Sequence, residues 1–198
     1  RINWMRRMLK REIRVGDAAL LANIERNVNF FASSCVLIIA GLLTALTATD
    51  KIRAMLSTAS FVEGDSLTEL EFKLAVLVVI FIYAYFTFTW SMRQYGFLNV
   101  MVGAMPVDEQ RNNENLKRYA RQMAVVQDQA AHSYNYGLRA YYFSLAALSW
   151  FYHPILFMLA SAFVVFTLFI REFKSKAVRA ITEGQAILNQ ERDISPSK

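Results

Sequence analysis

The sequence predicts an all-α fold, a polytopic transmembrane helical bundle with long cytoplasmic amphipathic helices. Three observations predict it. Charge is segregated: no charged residue occurs from Phe30 to Ala48, from Leu74 to Met92 or from Ala140 to Ile170, although 19% of the 198 residues are charged. Hydrophobic residues make up 55% of the chain, above the share of an ordinary soluble domain. The bases crowd at the ends of the uncharged runs. An uncharged run of roughly 18 residues or more spans the ~30 Å hydrocarbon core as a helix. Backbone amides in lipid must be satisfied within the segment, so such runs are helices. A soluble all-α protein is the weaker reading, because a chain this short has too little surface layer to enclose three fully apolar helices.

Residues 3–28 read as one amphipathic helix on the cytoplasmic side. Met5, Leu9, Ile13, Leu20, Ile24 and Val28 recur near helical spacing, and Arg6, Arg7, Lys10, Arg11 and Arg14 fill the opposite side. A basic helix of this kind lies on a membrane surface or against a partner helix, or simply extends the next span. Residues 30–48 are the first span. Gly41 and Ala45 are four apart on it, as are Ala40, Thr44 and Ala48, a spacing that lets helix backbones approach in lipid.

The connection that follows is acidic, with Asp50, Glu63, Asp65, Glu69 and Glu71 against Lys51 and Arg53. Ser66 and Glu69 form the signature of a capping box opening the second span, 73–92. That span is rich in aromatics on all sides, which fits packing and interfacial anchoring better than a cofactor site. Pro106 stops the helix. Residues 108–139 form a polar helix with one apolar stripe (Leu116, Tyr119, Met123, Val126, Ala130, Tyr134), placed outside the bilayer. The last uncharged run is too long for one straight crossing and holds His153-Pro154 near its middle. It is read as a kinked crossing over 150–171, with a re-entrant passage from 141 as the alternative. His153 and Pro154 mark the kink, and a gate is the functional reading of that pair. Residues 172–190 close the fold as a short basic amphipathic helix.

Lys and Arg number seven in residues 1–29, three in 49–73, six in 93–139 and six in 171–198. The positive-inside rule puts 3–28 and 93–139 in the cytoplasm and the acidic loop outside. The last six bases conflict with a single final crossing, so the side of the C-terminus stays open.

The net charge of +6 belongs to these flanks and calls for anionic lipid rather than nucleic acid, for which no motif is present. Cys35 is the single cysteine and lies within a span, so no intrachain disulfide or cysteine metal centre is available. Asp128 and His132 stand four apart, which suits an ion pair better than a metal site lacking a third ligand. No acidic residue lies within a span, no phosphate loop or nucleophile motif appears, and neither cofactor nor enzymatic activity is expected. The polar residues at the cytoplasmic span ends include Arg26, Arg93, Asn135 and Arg139. They are candidate contacts for lipid phosphates or permeating anions, or else positive-inside anchors and caps.

Several segments together carry a resemblance: Trp4-Met5, Arg14-Val15-Gly16-Asp17, Phe30-Phe31-Ala32-Ser33, Trp90-Ser91-Met92-Arg93-Gln94, Gly103-Ala104-Met105-Pro106, Asn135 to Phe143, and Trp150 to Pro154. The chain resembles a family of uncharacterised small integral membrane proteins, a domain of unknown function found in bacteria and plants. The resemblance implies about four spans, a multi-pass setting in a bacterial inner membrane, and a further N-terminal transmembrane helix before Arg1. It implies no activity and transfers no site residues. The expectation carried forward is a homo-oligomeric channel or transport-type protein. The alternative is an accessory or scaffolding protein that binds anionic lipid or a partner complex.

Overall fold

The computed structural model describes residues 1–56, 66–106, 113–173, 180–187 and 190, and the described residues are helical with no strand. Contacts divide the chain into two units, Arg1–Leu145 and Ala146–Lys198.

The first unit contains α1 (Ile2–Met8), α2 (Val15–Thr47), α3 (Thr49–Leu56), α4 (Leu67–Ala104) and α5 (Glu114–Leu148), whose last turn passes into the second unit. α4 is the central helix. Its 38 residues extend about 57 Å, longer than the ~30 Å hydrocarbon thickness. The capping box forms as the sequence predicts. The Glu69 N–H donates to Ser66 Oγ at 3.2 Å and the Ser66 N–H to Glu69 Oε2 at 2.8 Å. At the other end Met105 is extended (φ −75°, ψ 120°), as the residue before a proline prefers.

α2 and α4 are antiparallel. Asn99 Nδ2 donates to Glu25 Oε2 at 2.9 Å near the basic end, and Thr49 Oγ1 to Glu71 Oε1 at 3.5 Å near the acidic end. This register aligns the uncharged runs 30–48 and 74–92 side by side. α5 also runs antiparallel to α4. Ser91 Oγ donates to the Ala130 carbonyl at 2.7 Å, and Tyr119 Oη donates to the Met101 carbonyl at 3.0 Å. Asn113 starts α5 by accepting the Asn115 N–H on its side chain at 2.9 Å. Beside it, the ammonium of Lys117, 2.6 Å away, holds the Glu114 carboxyl below the usual carboxylate range.

An aromatic cluster joins the three long helices. Phe88 of α4 is fully buried and packs against Phe31 of α2 (ring centroids 5.6 Å apart) and against Tyr134 and Tyr141 of α5 (both 5.8 Å). Tyr141 Oη donates to the Phe31 carbonyl at 3.2 Å, and Cys35 Sγ lies 3.5 Å from the same hydroxyl.

The run 3–28, read from the sequence as one helix, is two. α1 folds back at residues 9–14, and this reversal buries Met5, Met8 and Leu9 in the core shared with Met105, Ala120 and Met123. A straight helix would carry those side chains into solvent beyond the end of the bundle. The helix read over 108–139 begins at Glu114 in the described residues, while 108–112 lie outside them, and it continues to Leu148.

In the second unit a single 3-10 turn, Ser149–Phe151, leads to α6 (Pro154–Phe173). The interruption at His153 is therefore a complete helix boundary rather than a kink. Pro154 takes the first helical position, where its missing N–H costs nothing. His153 Nδ1 accepts the Ile155 N–H at 3.0 Å, capping the new helix. No residue of α6 is buried, and its surface is almost wholly apolar, as a helix meeting lipid requires. Residues 180–187 are helical, and the remainder of the basic segment read over 172–190 lies mostly outside the described residues. Three helices, α2, α4 and α6, are long and apolar enough to cross a membrane, and the protein is a membrane protein.

Candidate functional site

Two arrangements at the basic end of the first unit bring together side chains that are far apart in sequence. The first is a clasp around Asp17. This carboxylate, 2% exposed, accepts Trp4 Nε1–H at 2.6 Å and the Arg11 guanidinium at 2.7 Å. Asp17 sits in the first turn of α2, where the free N–H groups and helix dipole favour an anion. Arg14, just before α2, donates to the carbonyl of Met105 and, at 2.9 Å, to that of Pro106. A cation thus satisfies two carbonyls just past the end of α4. The clasp ties α1, α2 and α4 together at the basic end of the first unit, beyond the uncharged runs.

The second arrangement is on the outer face of α5. Asp128, His132, Asn135 and Arg139 follow one another at three- and four-residue spacing and share one face of the helix. His132 and Asn135 are exposed. Asp128 pairs with Arg1 and lies 3.4 Å from His132 Nε2. The guanidinium of Arg139 stacks 5.6 Å from the centre of the Tyr136 ring.

The height of this face follows from Gly137. A Cβ there would meet the Phe88 ring at 2.5 Å, so Gly137 and Phe88 lie at one level. Phe88 is four residues inside Met92, the end of the uncharged run, hence about 6 Å inside it. Arg139, two residues further along α5, lies about 9 Å inside. The far end of the polar face of α5, Asn135 and Arg139, therefore dips into the layer of the spans, alongside segments that carry no charge, while His132 stands level with its edge.

The sequence groups Arg26, Arg93, Asn135 and Arg139 at the span ends, and the structure places them on different faces and heights. Arg26 is exposed on α2, outside the uncharged run. Arg93 lies on the outer face of α4 between exposed Trp90 and Phe97, its guanidinium 6.0 Å and 5.6 Å from the two ring centres. Asn135 and Arg139 lie deeper, on α5. Asn99, another polar residue of this region, is bound to Glu25. Among the described residues the small-residue face is open: Ala40, Gly41 and Thr44 are exposed, Ala45 and Ala48 are half-buried, and nothing lies within 4 Å of a Cβ built on Gly41. Among the described residues no group of three or more His, Cys, Asp or Glu side chains is placed to hold a metal ion.

A family model described as "Protein of unknown function, DUF599" matches residues 1–177. The chain belongs to this family. No curated protein and no solved structure matches it. In this DUF599 chain several of the segments that carry the family resemblance, all within the first unit, meet in space. Trp4, Arg14 with Asp17, and Met105 with Pro106 build the clasp. Phe31 and the stretch Asn135–Phe143 meet around Phe88. Sequence reasoning passed over Asp17, Gln94 and Gln127, three polar residues the fold buries. The available signal was Asp17 three residues after Arg14, an acidic first-turn position.

Proposed function

We propose that this protein is a multi-pass bacterial inner-membrane protein that assembles into a homo-oligomeric channel or transport-type complex. The polar face of α5 would line its cytoplasmic mouth. The observation that supports this reading is the depth of that face. Arg at the bilayer centre costs on the order of 3 kcal/mol, and polar side chains at membrane depth face water or other protein rather than lipid. Asn135 is exposed among the described residues. A second copy supplies the missing wall while leaving water against the face, and the open small-residue face of α2 offers a surface for close association. Arg139 and Asn135 would then meet anions entering from the basic side. Ion flux through purified protein in liposomes tests this reading. The expected result is an anion conductance whose selectivity changes in Arg139→Ala; absence of flux from a homogeneous symmetric assembly would refute it.

A second reading has its own observation. Arg93, flanked by exposed Trp90 and Phe97 at the end of an uncharged run, suits an anionic headgroup, since guanidinium binds phosphate while the rings anchor at the interface. On this reading the protein is an accessory or scaffolding component that holds anionic lipid or a partner complex. Tight co-purification of such a lipid or partner without any conductance would favour it.

A further inference from the structure

Gln94 of α4 and Gln127 of α5 are 6% and 7% exposed, and the Oε1 atom of each accepts no hydrogen bond from the described residues. The bond from Ser91 Oγ to the Ala130 carbonyl fixes the register of the two helices. Gln94 lies three residues after Ser91 and Gln127 three before Ala130, on antiparallel helices, so the two amides stand at the same height. Apolar side chains close the layer on either side: Leu98 and Met123 toward the basic end, Phe88 toward the membrane interior. The layer sits just beyond Met92, at the depth where headgroups and water begin. Two buried carbonyl oxygens at one level lack a donor, and a buried acceptor is rarely left so.

We propose that Gln94 and Gln127 form a built-in binding site for one small hydrogen-bond donor, a water molecule or an ammonium ion, held between α4 and α5 at the end of the span. The guest donates one proton to each Oε1. Water matches the count of acceptors and returns a lone pair to the amide N–H groups, as buried waters that join otherwise unsatisfied polar groups do. Ammonium satisfies the same two oxygens. An alkali cation does not, because two carbonyl ligands fall short of the six to which it is accustomed in water. The competing arrangement is a direct amide-to-amide pair with no guest.

Water-edited solid-state NMR of the isotope-labelled full chain in lipid vesicles separates these. With a guest that is water, the side-chain carbonyl carbons of Gln94 and Gln127 receive polarisation from water about as fast as that of exposed Gln122, while buried Leu98 stays dark. With ammonium, both carbons instead show contact with labelled ammonium, and thermal stability rises on replacing sodium chloride with ammonium chloride in the wild type but not in Gln94→Leu. If both carbons stay as dark as Leu98, ammonium has no effect, and a cross-peak joins the Gln94 and Gln127 amides, the site holds no guest and the proposal fails. The polarisation readout is made on the unaltered chain, so loss of folding in Gln94→Leu does not obscure it.

Discussion

Gly137 on α5 stands directly against the ring of Phe88 on α4, so close that a Cβ at position 137 would lie 2.5 Å from Phe88 Cε1 and 2.6 Å from Cζ. The ring is fully buried and packs on Phe31, Tyr134 and Tyr141, which restricts its movement. Gly137→Ala is therefore expected to destabilise the bundle by about 2 kcal/mol through overpacking. Phe88→Leu alone should also cost stability by leaving space. The double variant should cost less than the sum, because the smaller side chain makes room for the new methyl. Thermal unfolding of the four proteins in one detergent measures this, and strict additivity would show that the two residues do not share a contact.

The Asp17 clasp predicts a local effect. Asp17→Ala leaves Trp4 Nε1–H and the Arg11 guanidinium without their shared acceptor. Hydrogen bonds involving a charged partner contribute about 2 kcal/mol. The expected outcome is release of α1: a red shift in the Trp4 contribution to fluorescence and tryptic cleavage at Arg11 or Arg14, while the spans remain folded. Wild-type protease resistance in Asp17→Ala would place the attachment of α1 in Met5, Met8 and Leu9 and the Arg1–Asp128 pair.

At the start of α6 the expected change is smaller. His153→Ala removes the side-chain acceptor of the Ile155 N–H and should lower stability by about 1 kcal/mol, the ordinary worth of a helix N-cap. His153→Asn should retain most of it. If His153 instead gates a path, His153→Asn would alter flux while leaving stability intact, and paired flux and melting measurements distinguish the two.

Arg93 carries a lipid prediction. Arg93→Ala should lose co-purified anionic lipid, and Arg93→Lys should retain only part of it, because the ammonium keeps the charge but not the planar stack on Trp90 and Phe97. Mass spectrometry of lipids bound to the purified variants reads this out. Equal retention in all three would remove Arg93 from the account of lipid binding.

The spans were legible because lipid permits so few solutions. An uncharged run such as Phe30–Ala48 has to be helical, and the Ser66–Glu69 cap and Pro106 stop announce themselves locally. The reversal after α1 was hidden, because Met5, Leu9, Ile13, Leu20, Ile24 and Val28 keep a helical phase through the break, although the fold exposes Ile13 and Leu20 and buries Leu21 instead. Only tertiary burial against Met105 and Met123 distinguishes a fold-back from a continuous helix. The reach of α5 was hidden for a related reason. Arg139 looks like the end of a cytoplasmic helix, and its depth depends on the contact of Gly137 with Phe88, which no local pattern reveals. Gln94, Gln127 and Asp17 carry no local sign of burial, because burial of a polar side chain depends on its partners across the bundle. The polar residues Arg26, Arg93 and Arg139 were visible in composition, but their faces and heights required the register between helices.

The central claim is that the polar face of α5 stays wet where it dips into the span layer. Labelling of Asn135→Cys with a membrane-impermeant thiol reagent, in a Cys35→Ser background and with the protein in liposomes, tests it most directly. Phe143→Cys, deeper on the same helix, serves as the comparison. The account predicts rapid labelling at position 135 and little at 143. If position 135 labels no faster than 143, the face is buried in lipid or a dry interface, and the proposed mouth does not exist.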